Sequence, residues 1–132
     1  MPHLQFDINK EVLDHEKKKF INQVKHQFSD IMKTGSDHVA ISLRELTNNS
    51  LHIGRANFGE YVCLMNLDIR SGRSSKQKRS LVNSYISLVN KFFDIKRENQ
   101  YVTITEHKGE DFNLDERSLS SWSEGDDPLK EN

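Results

Sequence analysis

The sequence is poor in the residues that mark several large classes of protein. It has a single cysteine, Cys63, so a disulfide framework is excluded and a reduced, cytoplasmic setting is expected. Its 19 lysines and arginines are balanced by 20 aspartates and glutamates. Nucleic acids and membrane surfaces attract proteins with a basic excess, so we expect neither as a partner.

Long apolar runs are also missing. None approaches the roughly 18 residues of a membrane span, and the first residues lack the basic and hydrophobic regions of an export signal. The six histidines are scattered without the spacing of a metal site, so neither metal nor cofactor is expected. A chain of 132 residues with 34% apolar content suits one small domain, which oligomerisation would help to stabilise.

The first half of the chain predicts a strand, a helix and a second strand. Apolar and polar residues alternate in "HLQFDI", as in a half-buried strand. Asp14 is expected to cap the helix and Gly35 to end it, with a helical spacing of apolar residues at Phe20, Val24, Phe28 and Ile31. "HVAISL" predicts the second strand, and the segment from "TNNS" through Gly54 and Gly59 predicts a turn and a hairpin.

The second half repeats this order. "YVCLMNLDI" predicts a strand, and Ser74 and Gln77 have the spacing of a capping box before the next helix. The apolar positions of that helix are Leu81, Val82, Tyr85, Leu88, Val89, Phe92 and Phe93. "YVTIT" predicts the last strand, and corresponding elements of the two halves are about 61 residues apart. The chain therefore has the pattern of a duplicated β-α-β unit.

The duplication predicts an α+β fold with a mixed four-stranded sheet and two helices on one face. Each unit makes a parallel pair through a right-handed crossover, and the two units can join through their first strands in antiparallel orientation. This pairing brings the start of the first strand, where Pro2 lies, beside the end of "YVCLMNLDI", where Arg70 and Arg73 follow.

Pro2, Arg70 and Arg73 are the candidate site. Removal of Met1 would leave Pro2 with a secondary amine, and amino termini have pKa values of roughly 7.7 to 8.0. Two guanidinium groups and free N–H groups at a helix start suit a small carboxylate or phosphate, and nearby positive charge favours the neutral amine. Such an amine can remove a proton beside a carbonyl. There are ordinary alternatives to a site. Met-Pro is a common way for a protein to begin, and Arg70 and Arg73 could be solvated residues at a helix entrance.

Four segments together resemble the tautomerase superfamily: "PHLQFDI", "SDHVAIS", "IRSGRSSKQK" and "VTITEHKGEDF". The most similar branches are those of malonate semialdehyde decarboxylase and cis-3-chloroacrylic acid dehalogenase. The resemblance implies fused β-α-β pairs that form homotrimers, with Pro2 as catalytic amine and with Arg70 and Arg73 binding a substrate carboxylate. It also implies that Asp37 orients or activates water and that Phe112 is an apolar wall for the substrate.

The chain departs from both branches. Where the dehalogenase branch has an essential tyrosine, this chain has Thr103, and where that branch has a water-activating glutamate, this chain has Leu114. Phe28 occupies the position of that branch's histidine. His26 is nearby on the helix and is expected to be a surface residue. Dehalogenation is therefore not expected. In the decarboxylase branch an arginine usually follows the aspartate, but here His38 follows Asp37, and "EDFNLD" replaces a segment with tryptophan and glycine.

The resemblance covers residues 1–114, with repeats at about 2–45 and 60–106, and leaves a polar, acidic tail at 115–132 in which Trp122 is a candidate anchor. Glu106 and Asp111 are weaker candidates, since acids after a strand are usually solvated. The "KQKR" run is better explained as a polar helix face than as a nucleic-acid patch.

Two hypotheses about function remain. The first is an enzyme that acts on a small oxo-acid. The second is a non-catalytic trimeric module that binds anions or a protein.

Overall fold

The structure is a computed structural model that describes residues 2–115 and residue 118. The strands and helices, in chain order, are β1 (His3–Ile8), α1 (Asp14–Met32), β2 (Ala40–Glu45), β3 (Cys63–Arg70), α2 (Ser75–Phe93) and β4 (Gln100–His107). Short 3₁₀ helices lie at Asn48–Ser50, Arg97–Asn99 and Gly109–Asp111. Among the described residues no helix is both long and apolar enough to cross a bilayer. The tail and Trp122 lie outside the described residues except for Asp115 and Ser118.

The sheet has four strands in the order β2-β1-β3-β4. β1 pairs with β2 and β3 with β4 in parallel, while β1 and β3 are antiparallel. His3 is paired with Ala40 on one side and with Asp68 on the other. This arrangement confirms the predicted mixed sheet, joined through the first strand of each half.

Both helices cover one face of this sheet. The ring of Phe6 on β1 lies 5.1 Å from Phe20 of α1 and 5.6 Å from Tyr85 of α2, so the two helices share a core. The Tyr85 hydroxyl donates to the carbonyl of Val24 at 3.1 Å and links the helices directly. The strands contribute every second residue to this core: Leu4, Phe6, Ile8, Cys63, Met65, Leu67 and Ile69.

The ends of α1 differ from the prediction. The helix begins at Asp14, with Leu13 at the N-cap position and no side-chain cap, so Asp14 is not the cap. It ends at Met32, because Lys33 adopts a left-handed conformation with φ 53° while its N–H still bonds back into the helix. Gly35 therefore does not end the helix. Met32 is fully buried, whereas the predicted core residue Ile31 is only half-buried.

The predicted hairpin after β2 is wrong. Among the described residues no strand pairing occurs between Leu46 and Val62, and a 3₁₀ helix at Asn48–Ser50 begins the segment. The buried side chain of Asn9 supplies the missing hydrogen bonds. It donates to the carbonyls of Asn48 (2.9 Å) and Glu60 (3.1 Å) and accepts from the N–H of Val62 (2.8 Å).

The face of the sheet away from the helices is polar. Its side chains form hydrogen bonds across neighbouring strands, as the alternation of residues allows. The pairs are Asp7 with Arg44 at 2.7 Å, His3 with Ser42 at 2.8 Å, Asn66 with Thr103 at 3.2 Å and Asp68 with His107 at 3.0 Å. This polar face reaches the end of the sheet where Pro2 lies.

Candidate active site

Pro2 lies at the end of β1, beside the end of β3. It is buried, and its carbonyl accepts a hydrogen bond from the N–H of Ala40 at 3.0 Å. His3 is paired with Asp68 in the antiparallel register of β1 and β3. Continued by one residue, this register puts Pro2 opposite Ile69. Arg70 is the next residue of β3. Directly opposite Cα atoms in such a pair are about 4.5 to 5.5 Å apart. The amino-terminal residue of a processed chain would therefore adjoin the arginine segment, as the duplication predicts.

Arg70 is the last residue of β3 and is only 2% exposed. Alternation along β3 puts it on the polar face of the sheet, level with His107 of β4. A solvated arginine at a helix entrance would be largely exposed. The burial of Arg70 therefore argues against that ordinary interpretation, because a buried guanidinium needs compensating polar contacts.

Arg73 is also buried, in the turn between β3 and α2. Its Nη2 donates to the carbonyl of Met32 at 3.4 Å, so this guanidinium reaches the last residue of α1 on the helix side of the sheet. Gly72, between the two arginines, has φ 123°, a conformation that side chains disfavour. The glycine thus allows the sharp turn by which the chain passes from the end of β3 to Arg73.

The start of α2 is fixed by the predicted capping box. The Ser74 hydroxyl accepts from the N–H of Gln77 at 3.1 Å, and the Gln77 side-chain oxygen accepts from the N–H of Ser74 at 3.1 Å. The Gln77 amide also donates to the carbonyl of Ile31 at 3.2 Å. The helix that follows Arg73 is therefore tied to the end of α1.

Asp37 lies in the connection from α1 to β2. Asp37 is part of a turn, which is closed by a hydrogen bond from the N–H of Val39 to the carbonyl of Ser36 at 3.2 Å. The residue is exposed. Its chain position, three residues before Ala40, brings it to the same end of the sheet as Pro2. The next residue, His38, is only 3% exposed.

Phe112 follows the 3₁₀ helix after β4 and is half-buried. Its ring meets that of His107 edge to face, with centroids 5.4 Å apart. His107 in turn contacts the carboxylate of Asp68. Asp68 and His107 are neighbours that the sequence does not predict, because only the strand register, which pairs Asp68 with Thr105 and Arg70 with His107, makes them diagonal neighbours.

The remaining candidates have other surroundings. Glu106 forms an ion pair with Lys78 at 2.5 Å, and Asp111 and His26 are exposed. Burial raises the pKa of the Cys63 thiol far above its usual range, which excludes it as a nucleophile at neutral pH. Within residues 2–115 and 118, no three histidine, cysteine or acidic side chains are grouped so as to hold a metal ion.

Solved structures with this architecture are numerous. The protein N1, a member of the cis-3-chloroacrylic acid dehalogenase family, is similar at a TM-score of 0.77 with 20% identity, over 90% of this chain and 84% of that one. Pt0534, inactivated by 2-oxo-3-pentynoate, is similar at 0.77 with 13% identity, over 90% and 95% of the chains. The fused 4-OT Q0, a symmetric trimer, is similar at 0.78 with 16% identity over the same shares.

The chain has the tautomerase fold. No family profile and no curated relative matches the chain. The assignment of the fold therefore rests on the solved structures. At identities of 20% or less, the likeness concerns the backbone and leaves the branch undistinguished. Within the tautomerase fold of this chain, Pro2, Asp37, Arg70, Arg73 and Phe112 all belong to segments at one end of the sheet.

Proposed function

We propose that the chain is a tautomerase-superfamily enzyme that uses Pro2, after loss of Met1, as a general base and acid on a small oxo-acid. The reaction would be keto-enol tautomerisation or a related hydration or decarboxylation. The observation that carries this proposal is the burial of Pro2 at the start of β1, at the end of the sheet where the buried Arg70 ends β3 and the buried Arg73 follows in the turn. Neither arginine has the exposure expected of a solvated surface residue.

Each residue has a distinct role in the proposed chemistry. The neutral amine of Pro2 takes a proton from the carbon next to the substrate carbonyl and returns it to another atom. Arg70 and Arg73 hold the carboxylate, and a guanidinium stabilises the enolate oxygen as negative charge develops there. Asp37 orients water where the reaction needs it, and Phe112 bounds the substrate. The domain responsible comprises residues 1–114.

A homotrimer is part of this proposal. The fused 4-OT Q0 is a trimer with the same fold, and β2 and β4 are edge strands that association would cover. A cytoplasmic location is consistent with a single buried, reduced cysteine.

Intact-mass spectrometry followed by a ketonisation assay tests the function. We expect the purified protein to lack Met1 and to ketonise phenylenolpyruvate. Pro2→Ala should lower kcat/KM by about 100-fold or more, because loss of a positioned general base typically costs a factor of 10² to 10⁴. Arg70→Gln should raise KM, whereas the exposed Arg79→Gln is the matched control and should behave as wild type.

Two results would contradict the proposal. One is a chain that retains Met1 and therefore has no amine at Pro2; with anion binding preserved, that result would favour the non-catalytic module. The other is ketonisation that Pro2→Ala leaves unchanged.

A further inference from the structure

The chain that follows β4 returns to the end of the sheet where the candidate site lies. The ring of Phe112 packs edge to face against His107, with centroids 5.4 Å apart. Asn113 and Ser118 form an isolated antiparallel bridge, so the chain has reversed its direction by Ser118 and lies beside Asn113 again. Fourteen residues follow Ser118 in the sequence. This last part of the tail therefore starts next to the carboxyl end of β4.

The carboxyl end of β4 adjoins the turn that contains the two site arginines. His107 is level with Arg70 in the parallel register of β3 and β4. The carbonyl of His107 accepts from the N–H of Ser71 at 2.8 Å and from the Ser71 hydroxyl at 3.1 Å. Paired strands are about 4.8 Å apart, and with the ring contact and the bridge the start of the tail is on the order of 15 Å from Arg70.

Two buried arginines and an exposed lysine supply positive charge at this end of the sheet. Arg70 and Arg73 are 2% and 7% exposed, and charged groups at such burial are normally paired with opposite charge. Arg73 donates to the carbonyl of the last residue of α1 at 3.4 Å, which places the next residue, the exposed Lys33, nearby. On β4, Glu106 is neutralised by an ion pair with Lys78. The turn after β3 is thus suited to a carboxylate.

The tail carries the complementary charge. Glu124, Asp126 and Asp127 lie within four residues, with no lysine or arginine between them. Glu124 is the sixth residue after Ser118, and six residues span up to about 20 Å when extended. These carboxylates can therefore reach the arginines of their own chain. Short flexible connections give effective concentrations in the millimolar range, so even a weak contact of this kind is populated.

We propose that residues 124–127 of the tail dock on Arg70 and Arg73 of their own chain and compete there with the carboxylate of the substrate. The guanidinium groups exchange one set of carboxylates for another, and no covalent bond forms or breaks. A docked tail lowers the fraction of chains that can accept substrate, so the apparent affinity is weaker than the intrinsic affinity by that fraction. The competition with substrate rests on the proposed function, whereas the docking requires only the arginines.

Trp122 reports the docking, because it is the only tryptophan of the chain and lies two residues before Glu124. The full-length tail variant Glu124→Gln/Asp126→Asn/Asp127→Asn changes no described residue. We expect acrylamide to quench the fluorescence of Trp122 about twofold more strongly in this variant than in wild type, since the population shifts to the undocked state. Sodium pyruvate, a small 2-oxo acid, should increase quenching in wild type more than sodium chloride does at the same ionic strength.

The ketonisation assay measures the competition. We expect the tail variant to lower the KM for phenylenolpyruvate about threefold or more at unchanged kcat, since a site blocked in about two thirds of the chains binds threefold more weakly. The matched control is Glu11→Gln/Asp14→Asn/Glu98→Gln, which removes the same charge from exposed acids at the opposite end of the sheet. It should leave both KM and quenching as in wild type.

The outcomes separate this inference from the proposed function. Equal quenching of Trp122 in wild type and tail variant overturns the docking, and a pyruvate effect no larger than that of chloride overturns the competition. An unchanged KM in an active tail variant also overturns the competition. Ketonisation that depends on Pro2, with quenching and KM insensitive to the tail variant, leaves the proposed function standing alone. The expected quenching without any ketonisation supports the docking and contradicts the proposed function.

Discussion

At the scale of single residues, burial decides which groups are reactive. Cys63 points into the core from β3, and burial raises the pKa of its thiol, so the reactive thiolate is scarce at neutral pH. We expect iodoacetamide to leave Cys63 of the folded protein unmodified at pH 8 and to alkylate it fully in denaturant, as measured by intact mass. Equal alkylation rates in the two states would contradict the burial of this thiol.

The residues of the candidate site differ in how far sequence could predict them. Pro2, Arg70 and Arg73 are visible in the sequence because their residue types and spacing suggest anion binding beside an amine. Asp68 and His107 are 39 residues apart, and only the β3 and β4 register makes them neighbours. No local pattern encodes a contact of that range.

At the scale of elements, the capping box links helix stability to the site. Ser74→Ala removes the hydroxyl that accepts from the Gln77 N–H, and loss of such a cap costs about 1 kcal/mol. We expect a lower free energy of unfolding in urea and, because Arg73 immediately precedes the cap, a higher KM. Ser80→Ala, exposed within the same helix, is the control. If Ser74→Ala and Ser80→Ala have the same free energy of unfolding, the Ser74 hydroxyl does not stabilise the start of α2.

We expect acid to destabilise the segment before β3, because Glu60 loses its stabilising negative charge when it is protonated. The N–H of Asn57 (2.7 Å) and the ammonium of Lys96 (3.1 Å) hold the pKa of this carboxyl below its usual range. Such a group stabilises the fold above its unfolded pKa of about 4.3, and this contribution disappears as the pH falls through the folded pKa. Glu60→Gln should therefore lower the melting temperature more at pH 7 than at pH 3.

The control for this prediction is Glu11→Gln, an exposed acid in the connection after β1. It should leave the melting temperature nearly unchanged at both pH values. A Glu60→Gln deficit that is the same at pH 3 as at pH 7 would show that the carboxylate charge is not responsible.

Strands, helix faces and the capped start of α2 were predictable, whereas the ends of α1 and the long connection were not. Alternation in "HLQFDI" and the helical spacing of Leu81 and Tyr85 reflect which residues are buried, and burial decides these elements. The end of α1 instead depends on one left-handed residue, Lys33, which no sequence signal marks. The connection after β2 depends on Asn9, whose side chain takes the place of strand pairing.

At the scale of the whole molecule, the distribution of exposed apolar side chains favours association. Phe58 is 88% exposed, Leu13 67% and Tyr101 58%. All three adjoin the end of the sheet opposite Pro2, where β1 ends and where β3 and β4 begin. We expect light scattering after size exclusion to give three times the 15.4 kDa mass of one chain. A monomer at micromolar concentration would contradict the proposed trimer.

The central claim is that a free Pro2 amine adjoins the carboxylate site formed by Arg70 and Arg73. The most direct measurement is the rate at which 2-oxo-3-pentynoate labels the amino-terminal peptide, mapped by mass spectrometry in wild type and in the Arg70→Gln/Arg73→Gln variant. We predict labelling at Pro2 and a rate at least about tenfold lower in the variant, since charge-assisted hydrogen bonds contribute about 1.5 to 3 kcal/mol each. Labelling of lysine side chains alone, or equal rates in the two proteins, would contradict the claim.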